Sequence, residues 1–208
     1  MSVVFIKKVS EYAHIGLWKI EESIDELLSP IHLSDVERAL YNSKRNVLRK
    51  KEWLACRNLL KIMLPENDGI YYNPEGRPFL NNNSSHISIS HSGDYACIYI
   101  NEQNPVGIDI QRLKPDISKG VDFFLSPKEL SQFDTSDNTL LHILWSAKET
   151  VYKFLGHSDI DVKKDIYLLP FQRNQTGSIE VNILHIGSTK TLFLRYEMLE
   201  NYILTRTN

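Results

Sequence analysis

Two cysteines, Cys56 and Cys97, are all that 208 residues provide, and both sit among apolar neighbours. They form no CxxC pair and no disulfide framework, which excludes a small disulfide-stapled fold and suits a reducing compartment. No apolar stretch approaches the roughly 18 residues of a membrane span, so no membrane partner is expected. Residues 1–8 lack a cationic start followed by a long apolar run. No secretory leader is therefore expected, and the expected location is the cytoplasm. Charge of one sign is not in excess either: the formal net charge is -2, and no global basic field argues for nucleic acid. The basic stretch at 44–61 also lacks interleaved exposed aromatics for stacking bases, so no nucleic-acid partner is expected. What is present is an ordinary globular composition, 42% hydrophobic and 24% charged. That length suffices to bury a core as one domain or two small ones.

Two stretches organise the chain. In Val106-Gly107-Ile108-Asp109-Ile110-Gln111, apolar residues alternate with Gly107, Asp109 and Gln111, the period of a buried strand. Asp109 and Gln111 then share one face, with Gly107 leaving room beside them. Thirty-six residues after Asp109 comes Trp145-Ser146-Ala147-Lys148-Glu149-Thr150-Val151-Tyr152-Lys153, inside a stretch (140–155) free of Pro and Gly that reads as helix. Glu149 and Lys153 are four apart and share a helix face. A carboxylate and an amide on a strand, facing a carboxylate and an ammonium on a helix, can hold a hard cation and a phosphate together.

Elsewhere the pattern predicts strands at 3–6 and 15–20, a short helix at 21–28, and a helix opened by Ser34 with Glu37 in the capping-box position. A long amphipathic helix follows at 44–64, ended by Pro65; its Arg45, Arg49, Lys50, Lys51 and Lys61 read as a solvated face, whereas Arg57 lies among apolar residues. Residues 70–72 and 78–80 flank a hairpin turn, and the polar loop 81–85 leads to a strand, His86 to Ser92, that turns at Gly93-Asp94. A strand ending in Ser90-His91-Ser92-Gly93 collects hydroxyls, an imidazole and backbone N–H groups, a setting that suits an anion. Ser126-Pro127-Lys128-Glu129 reads as a helix start, with a role for Glu129 beside a catalytic base as the alternative. Segments 166–169, 178–186, 191–196 and 202–205 read as strands of a meander. Trp53-Leu54-Ala55 in the first long helix echoes Trp145-Ser146-Ala147 in the second, and both tryptophans are expected in cores. The fold class expected is α+β: two pseudo-symmetric lobes, 1–103 and 104–208, each a small, mostly antiparallel sheet packed on a long helix, with the site in the cleft between them.

Taken together these residues resemble the 4′-phosphopantetheinyl transferases, in particular the two-lobed Sfp type. That family's pattern is a hydrophobic-Gly-hydrophobic-Asp strand followed some forty residues later by Trp-Ser-x-Lys-Glu-x-x-x-Lys. Here it is Val106 to Asp109 and Trp145 to Lys153, and the upstream signals Gly76-Arg77-Pro78, Ile89-Ser90-His91-Ser92-Gly93-Asp94 and the helical 53–60 segment with Arg57 are also present. The resemblance covers roughly residues 45–155 in the family's order. Two departures stand out. Relatives often carry Glu two residues after the strand Asp, where this chain has Gln111. They often continue with a Gly-rich turn, where this chain has Gly156-His157-Ser158-Asp159.

The resemblance implies transfer of the phosphopantetheine arm of coenzyme A to a serine hydroxyl of an apo acyl or peptidyl carrier protein, releasing 3′,5′-ADP. It implies Mg2+, with Mn2+ as the other candidate ion, held by Asp109, Glu149 and Gln111 or a water. Glu149, directly or through a water, or a Mg2+-bound hydroxide is the expected base, and Lys153 the group that steadies the α-phosphate and protonates the leaving phosphate. Arg57, Arg77, Ser90 and His91 are expected to grip the nucleotide end of coenzyme A. Both lobes in one chain predict a monomer. The alternatives are a Mg2+-dependent pyrophosphate hydrolase and a non-catalytic binding module for coenzyme A or nucleotides. The carrier and its pathway, fatty-acid, polyketide or peptide, stay open.

Overall fold

The computed structural model of the chain describes residues 2–66, 69–82, 85–156, 159–185 and 188–208. Internal contacts divide it into two units, 1–104 and 105–208. The first unit contains β1 (Val3–Ser10), β2 (Ala13–Lys19), α1 (Ile24–Leu28), α2 (Asp35–Ser43), α3 (Val47–Met63), β3 (Ile70–Tyr72), β4 (Pro78–Leu80), β5 (His86–Ser92) and β6 (Tyr95–Asn101). Its main sheet runs β1-β2-β6-β5, every neighbour antiparallel. The β5–β6 hairpin closes on Gly93, whose φ of 57° is the left-handed backbone that such tight turns demand.

Helix starts follow side-chain chemistry. Ser34 accepts from the Glu37 backbone N–H at 3.3 Å while the Glu37 carboxylate accepts from the Ser34 N–H at 3.2 Å, as the spacing predicts. Ser23 and Glu26 form a second such box on α1. It explains why that helix begins at Ile24 and not at 21. Asn46 caps α3 through Leu48 and Arg49, and α3 lies across β2 and β6. Trp18, Leu27, Trp53, Leu54, Leu59, Leu80 and Ile98 form the core between them.

The second unit contains β7 (Ile108–Arg112), α4 (Val121–Phe124), α5 (Pro127–Gln132), α6 (Asn138–Leu155), β8 (Ile166–Leu168), β9 (Thr176–His185), β10 (Ser188–Leu199) and β11 (Tyr202–Thr207). The sheet order is β7-β11-β10-β9-β8, again antiparallel throughout. Each unit is thus an antiparallel sheet with one long helix against it, a mixed α+β fold. Asp137 caps α6 by accepting from the Leu140 N–H at 3.0 Å, and Gly156, φ 65°, ends it. Leu141, Leu144, Ala147 and Val151 of α6 meet Ile179, Val181 and Leu194 of the sheet in the core. Trp145 is half-buried and packs edge-on against Phe124, ring centroids 5.1 Å apart. The expected strand at 178–186 begins earlier, at Thr176, and its Ile186 lies outside the described residues, as do Asn83, Ser84, His157 and Ser158 of the expected loops.

α6 lies against β7 and β11, and Gly107 makes that approach possible. A Cβ on Gly107 would stand 2.1 Å from the Thr150 carbonyl oxygen and 3.0 Å from Phe154. The room that the sequence leaves beside Asp109 is therefore filled by helix backbone. The Gly107→Ala substitution must push α6 outward, and is expected to cost about 1–3 kcal/mol or more. A denaturation midpoint equal to that of the wild type would contradict this packing.

Candidate active site

β7 is a short strand with a buried, apolar stretch at Ile108 and Ile110, and between them it carries a carboxylate. Asp109 is only 4% exposed. A carboxylate removed from water in this way needs donors, and α6 supplies two. Ser146 Oγ donates to Asp109 Oδ2 at 2.8 Å, and Lys153 Nζ stands 2.7 Å from Oδ1. Residues 146 and 153 are seven apart, two helical turns, so one face of α6 presents both to the strand. The register of β7 is fixed by pairing with β11, Asp109 opposite Thr205 and Gln111 opposite Ile203. Thr150 ties the same helix to the same pair of strands, donating to the Thr205 carbonyl at 3.1 Å.

Glu149 lies half-buried on α6. Burial pushes its carboxyl above the usual carboxylate range, the Asp109 charge adds to that push, and Lys153 opposes it. Two carboxylates and one ammonium thus come together, with negative charge in excess. This donor set fits a hard divalent cation, which favours carboxylate and other oxygen ligands. Gln111, half-buried two residues along the strand from Asp109, carries the amide oxygen of the expected set. Among the described residues no group of three or more His, Cys, Asp or Glu is placed to hold a metal. The expected donors include only two of those residue types.

Lys148 and Glu129 belong to a different structure. Both side chains are 0% exposed and paired at 2.9 Å. Lys148 Nζ also donates to the Val162 and Ile166 carbonyls, while Glu129 Oε1 accepts from the Leu168 N–H at 3.0 Å. Ser126 donates twice to Glu129 Oε2, completing a capping box at α5. This network fastens α5, α6 and β8 together and leaves Glu129 enclosed, so the helix-start reading of Glu129 holds and its alternative role beside the base does not. His142, which carries no motif, is also buried, and its Nε2 accepts from the Lys114 N–H at 3.0 Å.

In the first unit the four expected nucleotide-binding residues lie on α3 (Arg57), at the β3–β4 turn (Arg77) and on β5 (Ser90 and His91). Arg57 is 6% exposed, its Nε donates to Glu37 Oε1 at 3.0 Å, and its guanidinium carbon sits 3.2 Å from the Trp53 ring centroid. Its Nη2 is buried with no hydrogen-bond partner among the described residues. His91 Nδ1 lies 3.2 Å from Glu52 Oε2 and 3.2 Å from Arg49 Nη1. Burial works to raise the Glu52 pKa, but His91 and Arg49 outweigh it and hold the carboxyl below its ordinary value. Arg49 therefore does more than decorate a solvated face. Ser90 is buried on β5 opposite Cys97. Arg77 is half-buried at the β3–β4 turn, its backbone N–H bonded to Asn73 Oδ1. His91, Trp53, Tyr72 and Lys44 share the lining of one groove of about 800 Å3.

Residues 105–206, nearly the whole second unit, match the family model of the 4′-phosphopantetheinyl transferase superfamily. A Synechocystis protein whose name gives it provisionally as a 4′-phosphopantetheinyl transferase is 29% identical over 140 residues, 60% of this chain and 57% of the relative. A 4′-phosphopantetheinyl transferase of Bacillus subtilis is 37% identical over 78 residues, 35% of this chain and 34% of the relative. The 4′-phosphopantetheinyl transferase AcpT of Escherichia coli O157:H7 is 34% identical over 68 residues, 32% of this chain and 35% of the relative. The chain spans no more than 57% of the length of these three relatives. No helix among the described residues is long and apolar enough to cross a membrane.

Proposed function

The chain belongs, through residues 105–206, to the 4′-phosphopantetheinyl transferase superfamily, and from that premise we propose that it is a Mg2+-dependent transferase of the two-lobed type. It moves the phosphopantetheine arm of coenzyme A onto a serine hydroxyl of an apo carrier protein, as a monomer in the cytoplasm. The observation that carries the reading is the convergence of Asp109 from β7 with Ser146, Glu149 and Lys153 from α6.

In the transfer, the serine oxygen forms a bond to the phosphorus that bears the pantetheine arm, and the bond from that phosphorus to the bridging oxygen breaks. The products are the phosphodiester on the carrier and 3′,5′-ADP. Asp109 and Glu149, with Gln111 as the amide donor, would hold the divalent cation, which when bound would supply charge neutralisation to the pyrophosphate. Glu149 accepts the serine proton directly or through a water. Lys153 steadies the phosphate and returns a proton to the departing oxygen. Ser146 fixes the orientation of Asp109.

In the first unit, His91, Ser90 and Arg77 are assigned to the nucleotide end of coenzyme A. Arg57 is assigned with them, through the guanidinium nitrogen left over from its Glu37 pair and Trp53 stack. The test is the appearance of 3′,5′-ADP from coenzyme A with and without a carrier protein. Release only when the carrier is present is expected. Release in its absence would point to a pyrophosphate hydrolase and reject the transferase.

Gln111→Glu adds one negative charge two residues from Asp109 and is expected to keep turnover and to tighten divalent-ion binding about threefold or more. Loss of turnover in that variant would displace Gln111 from the cation.

A further inference from the structure

The two oxygens of Asp109 are held by donors of different kinds. Ser146 Oγ, on a residue with 0% exposure, is neutral and locked in the core, whereas Lys153 is charged, its side chain 25% exposed, at the end of a flexible stem. The ammonium sits at Oδ1 in the place where a cation ligand of Asp109 would be expected, and it supplies a positive charge set against the carboxylates of Asp109 and Glu149.

We propose that Lys153 is a placeholder cation. In the ligand-free protein its ammonium occupies the Asp109 oxygen that a divalent cation needs, and it moves from Oδ1 to a phosphate oxygen of the substrate when cation and substrate are both present. The inference rests on the metal-site part of the proposed function. Its physical content is competition: a divalent ion that enters alone must displace a well-paired ammonium or be repelled by it at close range. A pyrophosphate ligand relieves the competition by giving the ammonium a new partner. Cation and coenzyme A therefore raise each other's affinity by one common factor. A residue that merely organised Asp109 would act in the opposite direction, since its removal would loosen the carboxylate and weaken the ion.

The sign of one effect decides the matter. Mn2+ is titrated into the full, metal-free chain without coenzyme A, and free ion is read from its electron paramagnetic resonance signal. Lys153→Ala is expected to bind Mn2+ about tenfold or more tighter than the wild type, because a competing positive charge has been removed from the ligand. Lys153→Arg keeps the charge and is expected to stay near the wild type. Lys164→Ala, on an exposed lysine paired with Asp161, is expected to change affinity by less than about twofold, which excludes a general effect of net charge. Coenzyme A is expected to tighten Mn2+ binding to the wild type and to do so less for Lys153→Ala.

Equal or weaker Mn2+ binding by Lys153→Ala overturns the placeholder role. No Mn2+ binding by either protein overturns it together with the metal site. Tighter binding by Lys153→Ala, with no transfer by the wild type to any carrier, leaves the placeholder standing and rejects the transferase reading.

Discussion

Asp109→Ala is expected to abolish phosphopantetheine transfer, a fall of at least about a thousandfold, while leaving the second unit folded. The size follows from the number of groups that depend on this carboxylate. Ser146 and Lys153 both point their donors at it, and its charge is one of the causes of the raised Glu149 pKa. Its removal takes a ligand from the cation, frees Lys153 and lets the Glu149 carboxyl fall back toward an ordinary value. The structural cost is smaller: the buried Ser146 hydroxyl loses its acceptor, worth about 1–3 kcal/mol, and Lys153 can reach water. Circular dichroism unchanged beside absent transfer is the expected pair of results. Near-normal turnover would remove Asp109 from the chemistry and, with it, the site.

Glu129→Ala is expected to do the reverse, acting on stability first. Lys148 has no exposure, and its ammonium would remain in the core with only the Val162 and Ile166 carbonyls. Breaking one side of such a pair costs about 3–5 kcal/mol. Burial already pushes the Lys148 pKa down, with Glu129 opposing that push, so removal of Glu129 favours the neutral amine further. The Leu168 N–H and the start of α5 lose their acceptor as well. Urea denaturation followed by fluorescence should show the loss. The double variant Glu129→Leu with Lys148→Met should recover much of it, because it leaves no unpaired charge behind. A Glu129→Ala midpoint within about 0.5 kcal/mol of the wild type would show that the network contributes little.

The contrast between these two acidic residues shows what a sequence can reveal. Asp109 stands between two apolar residues in a period-two pattern, so the polar residue on a buried strand is visible without coordinates. Glu149 and Lys153 are equally visible from helical spacing. Glu37 and Glu129 were legible as capping residues because the box is a local rule of four positions. Lys148 was not legible as a core residue: its partner lies nineteen residues upstream, and on a helix a lysine beside Glu149 reads as surface. The His91–Glu52 pair joins β5 to α3 across a longer gap still, so the sequence alone shows the imidazole as part of an anion site and not its carboxylate neighbour. The role of Gly107 depended on the Thr150 carbonyl of a helix forty residues away, a contact no pattern encodes.

Two strands also extend beyond the apolar segments that mark them. β1 continues past Ile6 through Lys7 and Lys8 to Ser10, largely exposed and with breaks in register against β2. Its polar residues follow no alternation, and pairing with β2 carries it. β10 runs for twelve residues, longer than its apolar segment, for the same reason.

The most direct test of the central claim is the intact mass of an apo carrier protein after incubation with this protein, coenzyme A and Mg2+. A gain of one phosphopantetheine, lost when the ion is chelated and absent with Asp109→Ala, is the result expected. An unchanged carrier mass across fatty-acid, polyketide and peptide carriers, with coenzyme A bound all the while, would contradict the account and leave a binding module in its place.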